Sequence, residues 1–301
     1  MATKLIHWFL SRFFLSGCSD YNPLEVRRAC RSKAQARDAF EKNILPYAKG
    51  KTFIGLYSAF KFSDKYGFPL VIKPNVGGFS RGAYFPIENK VQLLKAGIGV
   101  KKWWPTSIIE QYLLGKNYRV VMTKFGIMSI LRRYPPFVVG DGVQTIDTLI
   151  NVENALRKKM QLMPITHLIP KNRAIKKHLK QQNMDFFTIP TDKQRVYLHH
   201  KISLKLGSSI EIVDKDTLTD NNKQDLIKVL NFFNANILGI DVICKQGIEV
   251  DFDAQQCIFL EVNSRPFLKM HDNPRYGEKP KNLNVFYNKL EQLEITDNEK
   301  Y

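Results

Sequence analysis

Two apolar segments in the last third of the chain contain the side chains best suited to hold a cation. Asp241 lies within the apolar run 237–243, and Glu261 and Asn263 lie at the end of the next run, which begins at residue 257. Residues two apart in a strand project from one face, so Glu261 and Asn263 would share a face. An acid inside an apolar strand is costly to bury unless another group compensates its charge. Two carboxylates and an amide oxygen suit Mg²⁺, so these segments predict a magnesium site, with a solvated strand end as the alternative.

A second candidate site follows the apolar run 69–73. Lys73 ends this run, and a glycine-rich stretch that includes Gly78 and Gly82 comes next. A lysine in this place can put a point charge on a phosphate, and the glycines allow backbone N–H groups to approach its oxygens. Arg81 adds a bidentate donor. The pattern predicts phosphate binding, and the alternative is a β-turn with a surface lysine.

A third segment, residues 107–112, is typical of a strand that can border a purine base. Glu110 lies within it, and a turn and a second strand follow. Backbone groups of such a segment can form hydrogen bonds with the edge of a base, and Asn117 would then lie near a ribose. On composition alone this pattern is not specific.

The surrounding elements predict an α+β protein in which these segments are strands. Helical patterns cover residues 27–45, 145–160 and 220–236. Strand patterns cover residues 69–73, 107–112, 118–123, 126–132, 237–243 and 257–262. Hairpin-like spacing in the middle of the chain favours α+β layers over a regular βαβ array. The sequence has no G-x-G-x-x-G after a strand and no G-x-x-x-x-G-K-[ST], so the Rossmann and P-loop motifs are missing.

The composition is that of a globular protein with a large excess of positive charge. Of the 301 residues, 44% are hydrophobic and 25% are charged, which excludes collagen-like, mucin-like and wholly disordered chains. No apolar run approaches the roughly 18 residues that span a bilayer. The net charge is +18, and the segment 157–205 alone has 12 basic and 2 acidic residues. This excess predicts an anionic partner.

The cysteines and the N-terminus bear on where the protein functions. The four cysteines form no C-x-x-C pair, which predicts reduced thiols in a cytoplasmic protein. The segment Leu15–Cys18 resembles a bacterial lipoprotein cleavage box, but Arg12 interrupts the short apolar stretch before it. An amphipathic arm over residues 1–30 is therefore favoured over a signal peptide.

Taken in order, these segments resemble the ATP-grasp superfamily, and most closely the ATP-grasp ligase region of cyanophycin synthetase and related carboxylate–amine ligases. The matching segments are KYGFPLVIKPNVGGFSRG, IIEQYLLGKNYRVVMT, RRYPPFVVGDGVQTIDTLI, LGIDV and FLEVNSRPFLKMH. The resemblance covers about residues 31–275. It implies an α+β fold whose small subdomain (31–107) and large subdomain (108–285) hold ATP between them, followed by a tail (286–301).

The resemblance also implies which residues bind the nucleotide. In this family two lysines contact the phosphates of ATP, and they match Lys33 and Lys73. The glycine-rich loop would close over the nucleotide as a lid and exclude water. The adenine hinge and the ribose contact would comprise Glu110, Gln111, Tyr112, Leu113 and Asn117.

The reactive end of the site is implied in the same way. Asp241, Glu261 and Asn263 match the family's magnesium ligands, with Mn²⁺ as an alternative ion. Arg119 and Arg132 match arginines that lie near the phosphates and the reacting carboxylate. The implied reaction joins a carboxylate to an amine through an acylphosphate that is formed from ATP.

Three positions depart from the family pattern. The family's glycine-rich loop usually has a histidine before its Arg-Gly pair, where this chain has Ser80. The acid that contacts the ribose is replaced by Asn117. The E-x-N segment usually continues with small residues and a glycine, whereas here it continues Ser264-Arg265-Pro266-Phe267. The third difference lies where the substrate would bind, so we expect a substrate other than cyanophycin.

The expected function is therefore that of an ATP-dependent ligase for an amino acid, a peptide or a poly-amino-acid, with acidic substrates attracted by the basic segment. One alternative is an ATP-grasp kinase that phosphorylates a hydroxyl group. Another is a degenerate ATP-grasp protein that binds nucleic acid or an anionic surface. The intact set of Lys73, Asp241, Glu261 and Asn263 favours the enzyme. A homo-oligomer stays open, and no membrane span is expected.

Overall fold

The computed structural model describes residues 21–30, 33–75 and 82–293. Most of the predicted N-terminal arm, the Leu15–Cys18 box and most of the glycine-rich loop therefore lie outside the described residues. The described end of the arm is anchored by Asn22. Its buried side-chain amide donates hydrogen bonds of 2.7 Å to the carbonyl oxygens of Ile237 and Ser264.

The described helices are short, and none combines the length and the apolar character that crossing a bilayer requires. In chain order they are α1 (Leu24–Ala29), α2 (Lys33–Lys42), α3 (Leu56–Tyr66), α4 (Lys90–Val100), α5 (Ile146–Lys159), α6 (Arg173–Gln181), α7 (Asp220–Phe232), α8 (Lys269–Asp272) and α9 (Leu283–Glu291). Two 3₁₀ turns lie at Leu204–Leu206 and Lys215–Thr217.

The described strands form three sheets. In chain order they are β1 (Gly50–Phe53), β2 (Leu70–Pro74), β3 (Tyr84–Ile87), β4 (Ser107–Gln111), β5 (Lys116–Thr123), β6 (Gly126–Tyr134), β7 (Phe137–Val139), β8 (Arg195–Tyr197), β9 (Ser209–Val213), β10 (Ile237–Cys244) and β11 (Cys257–Asn263). The strand orders are β1-β4-β2-β3, β11-β10-β5-β6-β9 and β7-β8.

The chain divides into two compact units. Unit 1 comprises Met1–Ile130, Asp214–Phe267 and Lys281–Tyr301, and unit 2 comprises Leu131–Val213 and Leu268–Pro280. The predicted nucleotide-binding subdomains are defined by a bound ATP, and their boundaries stay a prediction.

A small antiparallel sheet of unit 1 carries Lys73 and Glu110. Strand β2 alternates buried and half-buried residues, so its apolar side chains Leu70 and Ile72 enter the core while Lys73 does not. Helices α3 and α4 cover this core, which also contains Phe62 and Leu93. The sheet thus holds its polar side chains on the opposite side from its two helices.

A second sheet is built around β10, and its strands β11, β10 and β5 lie in unit 1. Strand β10 pairs antiparallel with β5 on one side and β11 on the other. Every residue of β10 except Ile243 is buried, as expected for a near-continuous apolar run that is covered on both faces. Helices α2 and α7 pack against the sheet. Asp241 is the only charged residue in β10.

Unit 2 contains the whole basic segment, residues 157–205. In α6, Ile175 and Leu179 are one turn apart and buried, whereas lysines occupy the exposed face. The side chain of Asn172 caps this helix by accepting from the N–H groups of Ala174 and Ile175. Much of the positive charge is therefore a solvated helix face over a small apolar core.

One basic side chain of this segment is instead buried. The guanidinium of Arg157 donates to the carboxylate of Glu153 at 2.7 Å, to the carbonyl oxygens of His167 and Gly207 at 2.8 Å, and to the hydroxyl of Ser209 at 3.0 Å. Its side chain has no exposed surface. This network joins helix α5 to the loop at His167 and to the chain at the start of β9, at Gly207 and Ser209.

Most predicted elements are confirmed, with shifted ends, but four helices were missed: α3, α4, α6 and the four-residue α8. Strands β1, β3, β7, β8 and β9 were not predicted either. The predicted strands and the helices at 145–160 and 220–236 are present, and the predicted helix 27–45 is represented by α1 and α2. Helix α4 was missed because it exposes Val91, Leu94 and Ile98, which weakens its amphipathic pattern. Helix α3 has no side-chain cap, and α6 lies within the basic run.

We predict that Arg157→Leu destabilises unit 2 by about 3–5 kcal/mol, because it leaves Glu153 short of a partner and two buried carbonyls without donors. The measurement is denaturant unfolding, monitored by the hydrogen exchange of the backbone amides of α5. Lys158→Leu is the matched control, since it removes a charge at the next, exposed position. Equal stability of the two variants would contradict the role of the network.

Candidate nucleotide and metal site

The acids predicted from the sequence lie in one row across three strands of unit 1. Asp241 on β10 is paired in register with Arg119 on β5 and with Glu261 on β11. Directly paired residues of antiparallel strands project from the same face. Asn263 follows Glu261 by two positions in β11, so the strand places it on that face as well.

Arg119 compensates the buried carboxylate of Asp241. Its Nε lies 2.6 Å from Oδ1 and its Nη2 lies 2.8 Å from Oδ2. The Asp241 side chain is only 4% exposed, so its charge would be strongly destabilising without such a bidentate partner. The same Nη2 lies 3.9 Å from a Glu261 oxygen. Arg119 therefore lies within reach of both acids.

Gly239 keeps the face beside this row open. It is paired with Asn263 in the sheet. A Cβ at this position would lie 3.0 Å from the Pro266 side chain and 3.6 Å from that of Asn263. A larger residue would therefore press on the loop after β11. The Glu261 side chain is 35% exposed, so a ligand can reach this part of the row.

The oxygen atoms of Asp241, Glu261 and Asn263 are ligands of the kind that suit a magnesium ion. Arg119 already donates hydrogen bonds to the two oxygens of Asp241. Two carboxylates and one amide oxygen on one face are hard ligands of the kind that Mg²⁺ prefers. Both oxygens of Asp241 accept from Arg119, so a cation would share this carboxylate with the arginine. Among residues 21–30, 33–75 and 82–293, no cluster of three His, Cys, Asp or Glu side chains could hold a metal. The amide of Asn263 would therefore be needed as a ligand.

Lys73 and Glu110 form the second buried ion pair of unit 1. Lys73 Nζ lies 2.5 Å from Glu110 Oε2, and the two side chains are 15% and 3% exposed. Glu110 is opposite Val71 in the register of β2 and β4, so Lys73 reaches it diagonally from two positions along. The pair places a cation at the end of a strand, directly before the glycine-rich loop.

Arg37 is a further basic residue near Glu110 that the sequence did not indicate. Gly50 pairs with Glu110 in the sheet, and a Cβ on Gly50 would lie 2.4 Å from Arg37 Nη1 and 2.6 Å from Glu110 Cγ. Glycine thus lets the guanidinium approach the strand. Within the described part of the chain, the buried Nη1 has no hydrogen-bond partner. Its helical spacing after Lys33 was the only available signal.

The predicted hinge residues connect the two sheets of unit 1. The N–H of Gln111 donates to the carbonyl of Lys49 at 3.0 Å, and that of Tyr112 donates to the carbonyl of Pro69 at 3.1 Å. The Tyr112 ring stacks on Phe85 at 5.7 Å, and burial raises the pKa of its hydroxyl. These contacts fix the backbone from Glu110 onwards as it leaves β4.

The end of the hinge is also constrained by packing. A Cβ on Gly115 would lie 2.7 Å from the Cys244 carbonyl oxygen, so the turn before β5 approaches β10 closely. Leu113 precedes this turn, and Asn117 follows it as the partner of Ile243. Asn117 is thus held on a strand of the same sheet as Asp241. Its predicted ribose contact stays a prediction.

The remaining nucleotide-site predictions are only partly within the described structure. Gly78 and Arg81 lie outside the described residues, and so does the predicted lid. Gly82 is described, with a φ of +68°, and a Cβ there would lie 2.6 Å from the Trp103 ring. Lys33 is the first residue of α2, and its side chain lies outside the described part. The roles of all four stay predictions.

The two predicted catalytic arginines belong to different units. Arg119 lies in unit 1, and Arg132, at the end of β6, lies in unit 2. Two neighbouring histidines of the basic segment also lie in unit 2. His199 and His200 stack with ring centres 4.6 Å apart, and burial and neighbouring positive groups lower the pKa of each to about 4. Both are therefore neutral at pH 7.

Sequence comparison relates the chain to two kinds of ligase. No protein-family model matches it. It is 28% identical over 259 residues to the glutathione biosynthesis bifunctional protein GshAB of Clostridium perfringens, with 83% of this chain and 32% of that protein covered. It is 27% identical over 267 residues to cyanophycin synthetase of a Synechocystis strain, with 86% and 30% covered. The chain thus spans about a third of the length of these relatives.

Comparison with solved structures identifies the fold of the chain. The crystal structure of a bifunctional glutathione synthetase from Pasteurella multocida superposes with a TM-score of 0.64 and 20% identity, covering 90% of this chain and 37% of the other. The chain therefore has the α+β ATP-grasp fold, which confirms the fold predicted from the sequence. The resemblance to cyanophycin synthetase is confirmed as well.

We predict strong energetic coupling between Arg119 and Asp241. Arg119→Met should cost about 3–5 kcal/mol of unfolding free energy, because Asp241 is left charged and buried. The double variant with Asp241→Asn should recover about 2 kcal/mol of this loss, because no uncompensated charge remains. Denaturant unfolding of the four proteins gives the coupling.

The exposed pair Asp64 and Lys90, whose Nζ lies 2.8 Å from Oδ1, is the matched control. Asp64→Asn and Lys90→Met should show a coupling of only about 0.5 kcal/mol, as is usual for surface pairs. The assignment would be wrong if the coupling at Arg119 and Asp241 were no larger than this.

Proposed function

We propose that the protein is an ATP-dependent carboxylate–amine ligase that acts through an acylphosphate on an amino acid, a peptide or a poly-amino-acid. The observation that carries the proposal is the row of Arg119, Asp241 and Glu261 across an ATP-grasp sheet, with Asn263 on the same face. The names of the relatives, a glutathione biosynthesis protein and cyanophycin synthetase, support the same reaction class. Because the chain matches only a third of each relative, its activity and substrates are proposals.

The chemistry explains why a cationic site is needed. A carboxylate is a poor electrophile, so one of its oxygens first attacks the terminal phosphorus of ATP, and ADP leaves. The amine then attacks the acyl carbon, the C–O bond to phosphate breaks, and the nitrogen loses a proton. Negative charge accumulates in the first step, and fixed positive groups stabilise it.

The proposed roles follow from where the charged groups lie. Glu261, Asn263 and one oxygen of Asp241 would hold Mg²⁺, which when bound neutralises phosphate charge. Arg119 would keep Asp241 ionised and oriented and would face the transferred group. Lys73 is held by Glu110 at the start of the glycine-rich loop, which suits a contact with phosphate. Arg37 offers a further donor beside the same glutamate.

The nucleotide would be positioned by the hinge and the loop. The backbone of Glu110 to Leu113 would border the adenine, and Asn117 would contact the ribose. Lys33, Gly78, Arg81 and Gly82 would lie around the phosphates, and closure of the loop would exclude water from the acylphosphate. Arg132 would bind the substrate carboxylate.

We expect an acidic substrate. The basic segment has 12 basic and 2 acidic residues, and clustered positive charge raises the local concentration of anions. Nucleic acid is the less favoured partner, because the preserved acids have no role in binding it.

We predict that Glu261→Gln lowers magnesium-dependent ATP turnover by about 100-fold or more, because loss of a group that stabilises transition-state charge has effects of this size. The measurement is ADP release with a mixture of amino acids and acidic dipeptides. Glu249→Gln is the matched control: it makes the same change in the β10–β11 connection, at an exposed residue, and should keep full turnover. Equal turnover in Glu261→Gln and the wild type would contradict the proposal.

Mass spectrometry of the same reactions separates the alternatives. A product that joins two components with loss of water, formed together with ADP, supports the ligase. A phosphorylated hydroxyl compound would replace it with the kinase. No ADP in any mixture, combined with salt-sensitive binding to RNA or DNA, would replace it with a nucleic-acid-binding protein.

A further inference from the structure

Unit 2 contains two arginines that share one tyrosine ring. The guanidinium carbon of Arg132 lies 4.7 Å from the centre of the Tyr134 ring, and that of Arg195 lies 5.2 Å from the same centre. Arg195 also lies 4.4 Å from the centre of the Phe137 ring. Two cations therefore converge on one aromatic cluster, which we call the arginine–tyrosine cluster: Arg132, Arg195, Tyr134 and Phe137.

Strand geometry accounts for this arrangement. Arg132 and Tyr134 are two apart at the end of β6, so they project from one face. In the β7–β8 pair, Val139 is opposite Arg195 and Phe137 is opposite Tyr197, so Arg195 reaches the Phe137 ring diagonally. Cation–π contacts of this kind hold a guanidinium by its flat face and leave its N–H groups free to bind in its plane.

The rings are fixed whereas one arginine is open to solvent. Tyr134 and Phe137 are 8% and 4% exposed, and Arg195 is an exposed residue. The hydroxyl of Tyr134 donates to the carboxylate of Glu211. Burial and this hydrogen bond raise the pKa of Tyr134, so it remains a neutral phenol at pH 7.

The two arginines of the cluster differ from their neighbours in having no acid to neutralise them. Arg275 and Arg157 both bind Glu153, at 2.7 Å in each case. None of the ion pairs among the described residues joins Arg132 or Arg195 to a carboxylate. Both guanidiniums pack against the Tyr134 ring without a carboxylate partner in the described part of the chain, so the cluster is preformed for an anionic ligand.

We propose that Arg132 and Arg195 together bind a carboxylate of an acidic peptide substrate, and that Arg195 thereby determines specificity. The inference rests on the proposed function, since it names the substrate class of that ligase. A planar carboxylate matches the fork of a guanidinium. A peptide carboxylate fits better than a nucleic acid, because the acids of the row, Asp241 and Glu261, have no role in binding nucleic acid.

The test is calorimetric titration of the full chain with tri-aspartate, without ATP and at physiological ionic strength. Arg195→Gln should bind about 10- to 100-fold more weakly than the wild type, the usual range for loss of a charge-assisted hydrogen bond. Arg195→Lys should lie between them, because it keeps the charge but loses the fork. Tri-asparagine with an amidated C-terminus, which has no carboxylate, should not bind.

Lys193→Gln is the matched control, because it removes the same charge two residues earlier at an exposed position. It should change the affinity by less than about 2-fold, since an exposed lysine whose side chain makes no fixed contact with the described residues contributes little to an ion pair. Thermal unfolding of each variant checks that it is folded. Equal weakening in Lys193→Gln and Arg195→Gln, or no binding of tri-aspartate to the wild type, would overturn the proposal.

Two further results separate this inference from the ligase itself. Turnover that depends on Glu261, with unchanged tri-aspartate binding in Arg195→Gln, would overturn the carboxylate site and leave the ligase standing. Binding of tri-aspartate that depends on Arg195, without ATP turnover, would overturn the ligase and leave the carboxylate site standing. Binding of a short RNA in place of tri-aspartate, lost in Arg195→Gln, would reassign the cluster to nucleic acid.

Discussion

The bidentate pair between Arg119 and Asp241 is the interaction on which the site depends. Asp241 is the only charge in a strand that is otherwise apolar and buried, and β10 can hold it only because β5 supplies a guanidinium in register. The same register brings Glu261 alongside from β11. One compensated charge thus fixes three strands and gathers the polar groups of the site in a single row.

The pair also sets a condition on ligand binding. Both oxygens of Asp241 accept from Arg119, so a cation bound at the proposed site would share the carboxylate with the arginine. A comparable arrangement holds in the small sheet, where Lys73 is paired with the buried Glu110. In each sheet a buried acid orients a base, which is how a strongly basic protein can keep cationic side chains ordered before an anionic nucleotide binds.

The sequence predicted the fold class and the strands of the acids well, because strand alternation and an acid inside an apolar run are local signals. It did not predict that Arg119 compensates Asp241, since that contact joins strands more than a hundred residues apart in sequence. Arg37 was missed for the same reason: its position beside Glu110 depends on the close approach that Gly50 allows. The sequence showed the basic segment only as an excess of charge, whereas in the structure Arg157 is buried in a network and Arg195 lies against aromatic rings.

The most direct test of the central claim is the binding of Mn²⁺ together with a non-hydrolysable ATP analogue, measured by the electron paramagnetic resonance signal of free Mn²⁺. We expect the wild type and Glu249→Gln to remove Mn²⁺ from solution in the presence of the analogue, and Glu261→Gln to remove much less, because the row loses a carboxylate ligand. Equal removal of Mn²⁺ by Glu261→Gln and the wild type would contradict the proposed metal site.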